Sequence, residues 1–135
     1  PGTFIGMGMV RLGQQQYGQA VEYLTRAIDA GSQNSQTYGQ LGMAQLMAGN
    51  SEEGVKAYEK AFELGIPPGP NTRGLASFNL ACGYVRLGQK DKALSAMSDA
   101  VAAGFGNRNA YETDADLGTL RDDPRFQEIL AQLPN

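Results

Sequence analysis

Apolar residues recur along this chain at the spacing of helix faces. Tyr38, Leu41, Gly42 and Gln45 stand at i, i+3, i+4 and i+7, one face of a helix. Gly49-Asn50-Ser51 interrupts the pattern, and Ser51 followed by Glu52-Glu53 predicts a helix start with acids in its first turn. Val55, Tyr58, Ala61, Phe62 and Leu64 then carry a second apolar face up to Gly65. Pro67, Pro68 and Pro70 cannot continue a helix, so the segment from Gly65 to Asn71 is expected to be an extended turn. Leu80, Ala81, Tyr84 and Leu87, followed by Ala93, Met97, Ala100 and Val101, repeat the two-helix design.

The repetition extends to the glycines, 18 of 135 residues against an average near ~7%. They are spaced rather than clustered, which argues for an internal repeat. Ala27-Ile28, Ala61-Phe62 and Ala100-Val101 each precede a glycine by three residues, at Gly31, Gly65 and Gly104. Ala20, Gly54 and Ala93 each lie seven residues before those alanines. The copies stand 34 and then 39 residues apart. Val10-Arg11-Leu12-Gly13-Gln14 also returns as Val85-Arg86-Leu87-Gly88-Gln89. Gly42, Ala81, Gly54, Ala61 and Ala100 let two helix backbones approach, where a larger side chain would cost ~1–3 kcal/mol.

This pattern resembles the tetratricopeptide repeat family, whose repeat is a helix-turn-helix of ~34 residues. The resemblance covers residues 1–105, in repeats of about 1–34, 35–68 and 72–105. It implies an all-α fold, an α-solenoid of three repeats in a right-handed superhelix, making one domain over residues 1–135. The first repeat is looser. Gln14-Gln15-Gln16 reads as two extra residues in its inter-helix turn, and Pro1 and Gly2 at its start imply a short or frayed leading helix.

Residues 106–135 lack the repeat signature. Asp116-Leu117 followed by Arg121-Asp122-Asp123-Pro124-Arg125-Phe126 is similar to a tail that closes many bacterial tetratricopeptide proteins. Asp123 suits an N-cap and Pro124 the first helical position. Phe126, Ile129, Leu130 and Leu133 then fall on one helix face, expected to pack near Ala96, Ala100 and Phe105 as a cap, since a terminal repeat otherwise leaves its apolar face in water. The acidity is concentrated here. From Glu112 onward six acids face two arginines, a net −4, whereas residues 1–111 sum to +1.

Composition removes most chemistry. Histidine is absent and Cys82 is the single cysteine, which excludes intrachain disulfides, zinc sites of His or paired Cys, and Ser-His or Cys-His nucleophiles. A net charge of −3 argues against nucleic acid as the main partner, and no run approaches the ~18 apolar residues of a membrane span. Asp114-x-Asp116-x-Gly118 lacks the later ligands of a calcium loop, and Gly104-Phe105-Gly106 follows no strand and has no third glycine. Glu52-Glu53 and Asp122-Asp123 are explained by helix N-termini. No catalytic constellation, cofactor site or targeting segment is found; Pro1 in place of an initiator Met reads as processing or as a fragment of a longer chain.

In the resembled family the first helix of each repeat lines the concave side. The face opposite the core carries Gly39, Met43, Leu46 and Met47 in the second repeat and Leu75, Phe78, Cys82, Val85 and Arg86 in the third. Aligned through the repeated pentapeptide, the first repeat contributes Thr3, Met7, Val10 and Arg11. This face is apolar and methionine-rich, with two arginines that read as occupying equivalent slots. Exposed Met-rich surfaces bind varied apolar partners by repacking, whereas a core methionine merely fills a gap. The expected function is a non-enzymatic scaffold that holds a peptide or protein segment on Met7, Arg11, Met43, Met47, Phe78, Cys82 and Arg86, although the tail could cover part of the face. Self-association into a homo-oligomer is the alternative. The family's clamp for acidic chaperone tails is missing, because its places hold Thr3, Met7, Gln40, Leu75 and Asn79.

Overall fold

In the computed structural model, described over residues 2–106 and 108–133, the chain forms eight α-helices and two short helical turns, with no strand among the described residues. It divides into two compact units between Ile66 and Pro67. The first holds α1 (Gly2–Gly13), α2 (Tyr17–Asp29), α3 (Ser35–Met47) and α4 (Ser51–Leu64). The second holds a wide turn at Pro70–Gly74, α5 (Leu75–Arg86), α6 (Lys90–Ala102), α7 (Arg108–Thr113), a tight turn at Asp116–Leu120 and α8 (Pro124–Leu130).

The inter-helix turns fix the register of the repeats. Each first helix is joined to its second through residues 14–16, 48–50 or 87–89, and the middle residue has positive φ every time: Gln15 at 60°, Gly49 at 89° and Gly88 at 73°. Gln16, Asn50 and Gln89, which follow, share one backbone conformation. The first turn therefore has no extra residues, contrary to the sequence expectation. Equivalent positions lie 34 and 39 apart throughout, and the repeated Val-Arg-Leu-Gly-Gln is two residues out of phase. Gly13 ends α1 instead of making the turn. In the true register Met9, Met43 and Cys82 correspond, as do Gly13, Met47 and Arg86. Arg11 matches Gln45 and Tyr84, so it is not the counterpart of Arg86.

Small residues at the helix crossings explain why the pairs close. A Cβ on Gly8 would lie 2.7 Å from Leu24 Cγ, and one on Gly42 would lie 2.7 Å from the Tyr58 ring. These two pairs are equivalent, and the third repeat has Ala81 and Met97 in their places. A Cβ on Gly54 would meet Leu46 Cγ at 2.7 Å, so Leu46 faces α4 and is buried. Ala20, Ala27, Ala61, Ala93 and Ala100 have no exposed surface. Packing of this kind holds α1 as a helix of full length despite four glycines, so the expected short leading helix is not seen; Pro1 lies outside the described residues. Leu64, expected on the apolar face of α4, stays partly exposed.

Successive pairs join in the same way within the first unit. Leu41 and Ala44 of α3 pack on Ala20, Val21 and Leu24 of α2, beside Leu12. Asn34 caps α3, its Oδ1 accepting from the Thr37 amide at 2.8 Å, and the Thr37 hydroxyl pairs with Ser32 in the buried joint.

In the second unit the extended stretch is shorter than the prolines suggest. Helical geometry resumes at Pro70, whose missing N–H costs nothing at a first helical position. Gly74 N donates to Gly69 O at 2.9 Å, and the Thr72 hydroxyl donates to Pro67 O at 2.8 Å. A Cβ on Gly74 would stand 3.0 Å from Phe105, so this turn packs directly on the end of the α6 hairpin. Helix α8 packs on α6. Asp123 caps it, accepting from the Arg125 amide at 2.9 Å, with Pro124 at its first position. Phe126 and Leu130 are fully buried, and Leu133 is buried just past the helix end.

The turn and the crossing generate opposite forecasts. Gly42→Val should lower stability by ~1–3 kcal/mol, because the Tyr58 ring must move. Gln15→Gly should raise it by up to ~1 kcal/mol, because a left-handed residue with a side chain is replaced by one without that penalty. Urea titration reads both; equal midpoints would mean that neither contact is as tight as the geometry indicates.

Candidate functional site

The seven residues singled out in the sequence fall into three groups. The first comprises Met43 and Met47, on one face of α3 four residues apart. Met47 is 54% exposed and Met43 half-buried. Their neighbour in register is Met9 of α1, 46% exposed, which the out-of-phase pentapeptide hid. Gln40 lies one turn before Met43 on the same helix, and its Oε1 is buried from water without a hydrogen-bond partner. Beside Gln40, a Cβ built on Gly39 would have nothing within 4 Å.

Met7 and Arg11 form the second group. Met7 is 38% exposed and Arg11 half-buried, yet the corrected register puts them with Leu41 and Gln45, on the side of the first helix that meets the preceding pair. The Arg11 guanidinium donates to the amide oxygens of Gln14 and Gln16 at 3.0 and 2.9 Å. These two residues do not share the face of Met43 and Met47.

Phe78, Cys82 and Arg86 make up the third group, and the C-terminal segment covers them. Phe78 is 7% exposed, its ring 4.8 Å from Phe105 and 5.1 Å edge-on to Tyr111. Tyr111 is fully buried, and its hydroxyl donates to Phe105 O at 2.6 Å. Burial pushes the Tyr111 phenol above its ordinary range. The Cys82 thiol donates to Asp114 Oδ1 at 3.6 Å; burial pushes its pKa up, with Asp114 and Asp116 adding to the shift, so it stays protonated and unreactive. Arg86 grips Asp116 through two bonds, Nε to Oδ1 at 3.1 Å and Nη2 to Oδ2 at 2.9 Å. The expectation that Phe78 and Cys82 line an open groove is corrected by these contacts. Their apolar surface is already matched by Phe105 and Tyr111.

Cys82, Asp114 and Asp116 bring three potential metal ligands within 4.8 Å of one another. Their chemistry is already spent. Asp114 Oδ1 accepts from the Asp116 and Leu117 amides as well as from the thiol, and Asp116 is neutralised by Arg86. Arg121 closes the same knot, donating to Tyr111 O and Asp114 O at 3.2 and 2.6 Å. The trio fastens the C-terminal segment to α5. Sequence reading expected the tail to close the last repeat; it does so in two pieces, residues 108–120 on α5 and α8 on α6. The aromatic at 111 and the acids at 114 and 116 were visible, but their partners lie about thirty residues away in sequence.

Residues 5–67 match the family model for the tetratricopeptide repeat. That match spans the first two repeats, and the third shares their register and turn conformation. Among curated proteins, a chloroplastic protein of Arabidopsis thaliana is 36% identical over 84 residues, covering 62% of this chain and 24% of the relative, so the chain spans about a quarter of that protein. Two solved structures each cover 96% of the chain at a TM-score of 0.75. One is MamA, at 20% identity and with 74% of its own chain covered. The other is YrrB, a tetratricopeptide-repeat protein with an unusual peptide-binding site, at 21% identity and 64% coverage. At these identities the likeness is one of fold, and the fold is an all-helical array of helix-turn-helix repeats.

If the aromatic knot closes the third repeat, Phe78→Ala should cost ~3–5 kcal/mol, as for any fully packed ring. It should also expose the Cys82 thiol to alkylation in the native state. A variant with an unchanged melting midpoint and a protected thiol would show that the segment from Tyr111 to Leu120 does not depend on Phe78.

Proposed function

We propose that this tetratricopeptide-repeat chain is a non-catalytic interaction scaffold that holds a peptide or protein segment across the first helices of its first two repeats. The observation that carries the reading is the methionine face, with Met9 and Met47 exposed and Met43 half-buried between water and the helix. Methionine is flexible and polarizable, so such a face repacks around different apolar side chains. The bound segment is therefore apolar at two or three positions. The family match and the fold shared with a peptide-binding relative support this class of function. Phe78, Cys82 and Arg86 are assigned to holding the C-terminal segment rather than to the ligand.

Replacing the exposed methionines separates binding from folding. Met9→Glu and Met47→Glu should leave the thermal midpoint within about a degree, because surface changes away from packing rarely exceed ~0.5 kcal/mol. The same substitutions should reduce capture of partners recovered with the unsubstituted chain by at least about tenfold, since a buried unpaired carboxylate is costly. Loss of folding would place these methionines in the core, and undiminished capture would move the ligand elsewhere.

A further inference from the structure

The side chains that peroxides attack most readily in this chain are five methionines and Cys82, and the fold sorts them into two sets. Met97 of α6 has no exposed surface. Cys82 is buried and bonded to Asp114, and its thiol is held protonated, the form that peroxides attack poorly. The other four methionines stand on α1 and α3. Met7, Met9 and Met47 are exposed, and Met43 is half-buried one turn from Met47.

This sorting makes oxidation selective. The thioether sulfur attacks a peroxide oxygen, and the S–O bond forms as the O–O bond breaks. Sulfur loses two electrons, the peroxide gains them, and water or an alcohol leaves. The product is a sulfoxide, whose oxygen is polar and accepts hydrogen bonds. At Met97 that oxygen would be desolvated in the core and would weaken the fold. At Met9 and Met47 it stays hydrated while the chain is free, so folding is untouched.

The penalty arises only when an apolar partner surface covers the face, because the oxygen then loses its water and gains no donor. Leucine at these places would give an apolar face without that sensitivity. The face is reversible as well as sensitive, since an exposed sulfoxide is within reach of the reductases that restore the thioether.

On the reading of this face as the binding surface, we propose that Met9 and Met47 form a reversible oxidation switch. Hydroperoxides turn the face polar and release its partner while the fold stays intact.

The test uses the whole chain carrying Met7→Leu, which removes the exposed methionine that lies off this face. It is treated with hydrogen peroxide, mapped by peptide mass spectrometry and passed over phenyl-agarose, whose phenyl groups stand in for an apolar partner. Met9 and Met47 should each gain one oxygen before Met97 or Cys82 changes, with the thermal midpoint held within about a degree. The oxidised chain should leave the matrix at higher salt, and its capture of the partners recovered before treatment should fall about tenfold or more. Methionine sulfoxide reductase should restore both. With Met9→Leu and Met47→Leu added, capture should be the same before and after peroxide, whatever its starting level. Oxidation of Met97 in step with Met47, a falling midpoint, or capture and retention indifferent to peroxide overturns the switch alone. A chain that captures nothing before treatment overturns the binding reading, and the switch with it.

Discussion

Two helices of a repeat can bury their facing stripes only if one side of each crossing is nearly bare. Gly8 under Leu24 and Gly42 under Tyr58 meet this requirement with no side chain at all, and Gly54 does so under Leu46. Once each pair is closed this tightly, the remaining faces of its first helix are set. In α3 one of them meets the preceding pair, Leu41 and Ala44 packing on α2, and another is left over.

The chemistry of the leftover face then differs between the two units. In the first it carries Met9, Met43 and Met47, flexible side chains with water around them. In the second, Phe78, Cys82 and Arg86 meet Phe105, Tyr111, Asp114 and Asp116 from the same unit. The aromatic contacts dominate that joint. The Arg86–Asp116 pair is partly exposed and adds geometric specificity more than energy. Burial of Tyr111, Leu117, Leu120 and Phe126 shows that this segment belongs to the unit's core rather than lying on its surface.

Much of this was legible from the residues. Ala27, Ala61 and Ala100, each four residues before a glycine, located every second helix, and Asp123-Pro124 located the start of α8. The binding face was read less well because a local identity outweighed the turn. Val10–Gln14 copies Val85–Gln89, but the left-handed position of the first turn is Gln15, not a glycine, so the copies lie two residues apart in register. That shift hid Met9 and paired Arg11 with Arg86. The burial of Phe78 and Cys82 was beyond periodicity, because helix spacing reveals which face is apolar but not which distant segment will cover it.

The central claim is that the leftover face is open in the first unit and closed in the second, and side-chain footprinting of the intact chain tests it most directly. The five methionines and Cys82 report on both units at once. Under brief peroxide and alkylator exposure, read by peptide mass spectrometry, Met9 and Met47 should oxidise fastest and Met43 more slowly. Fully buried Met97 and the Cys82 thiol should stay protected until urea unfolds the chain. Alkylation of Cys82 at its unfolded rate in the native protein, or protection of Met9 and Met47 equal to that of Met97, would contradict the account.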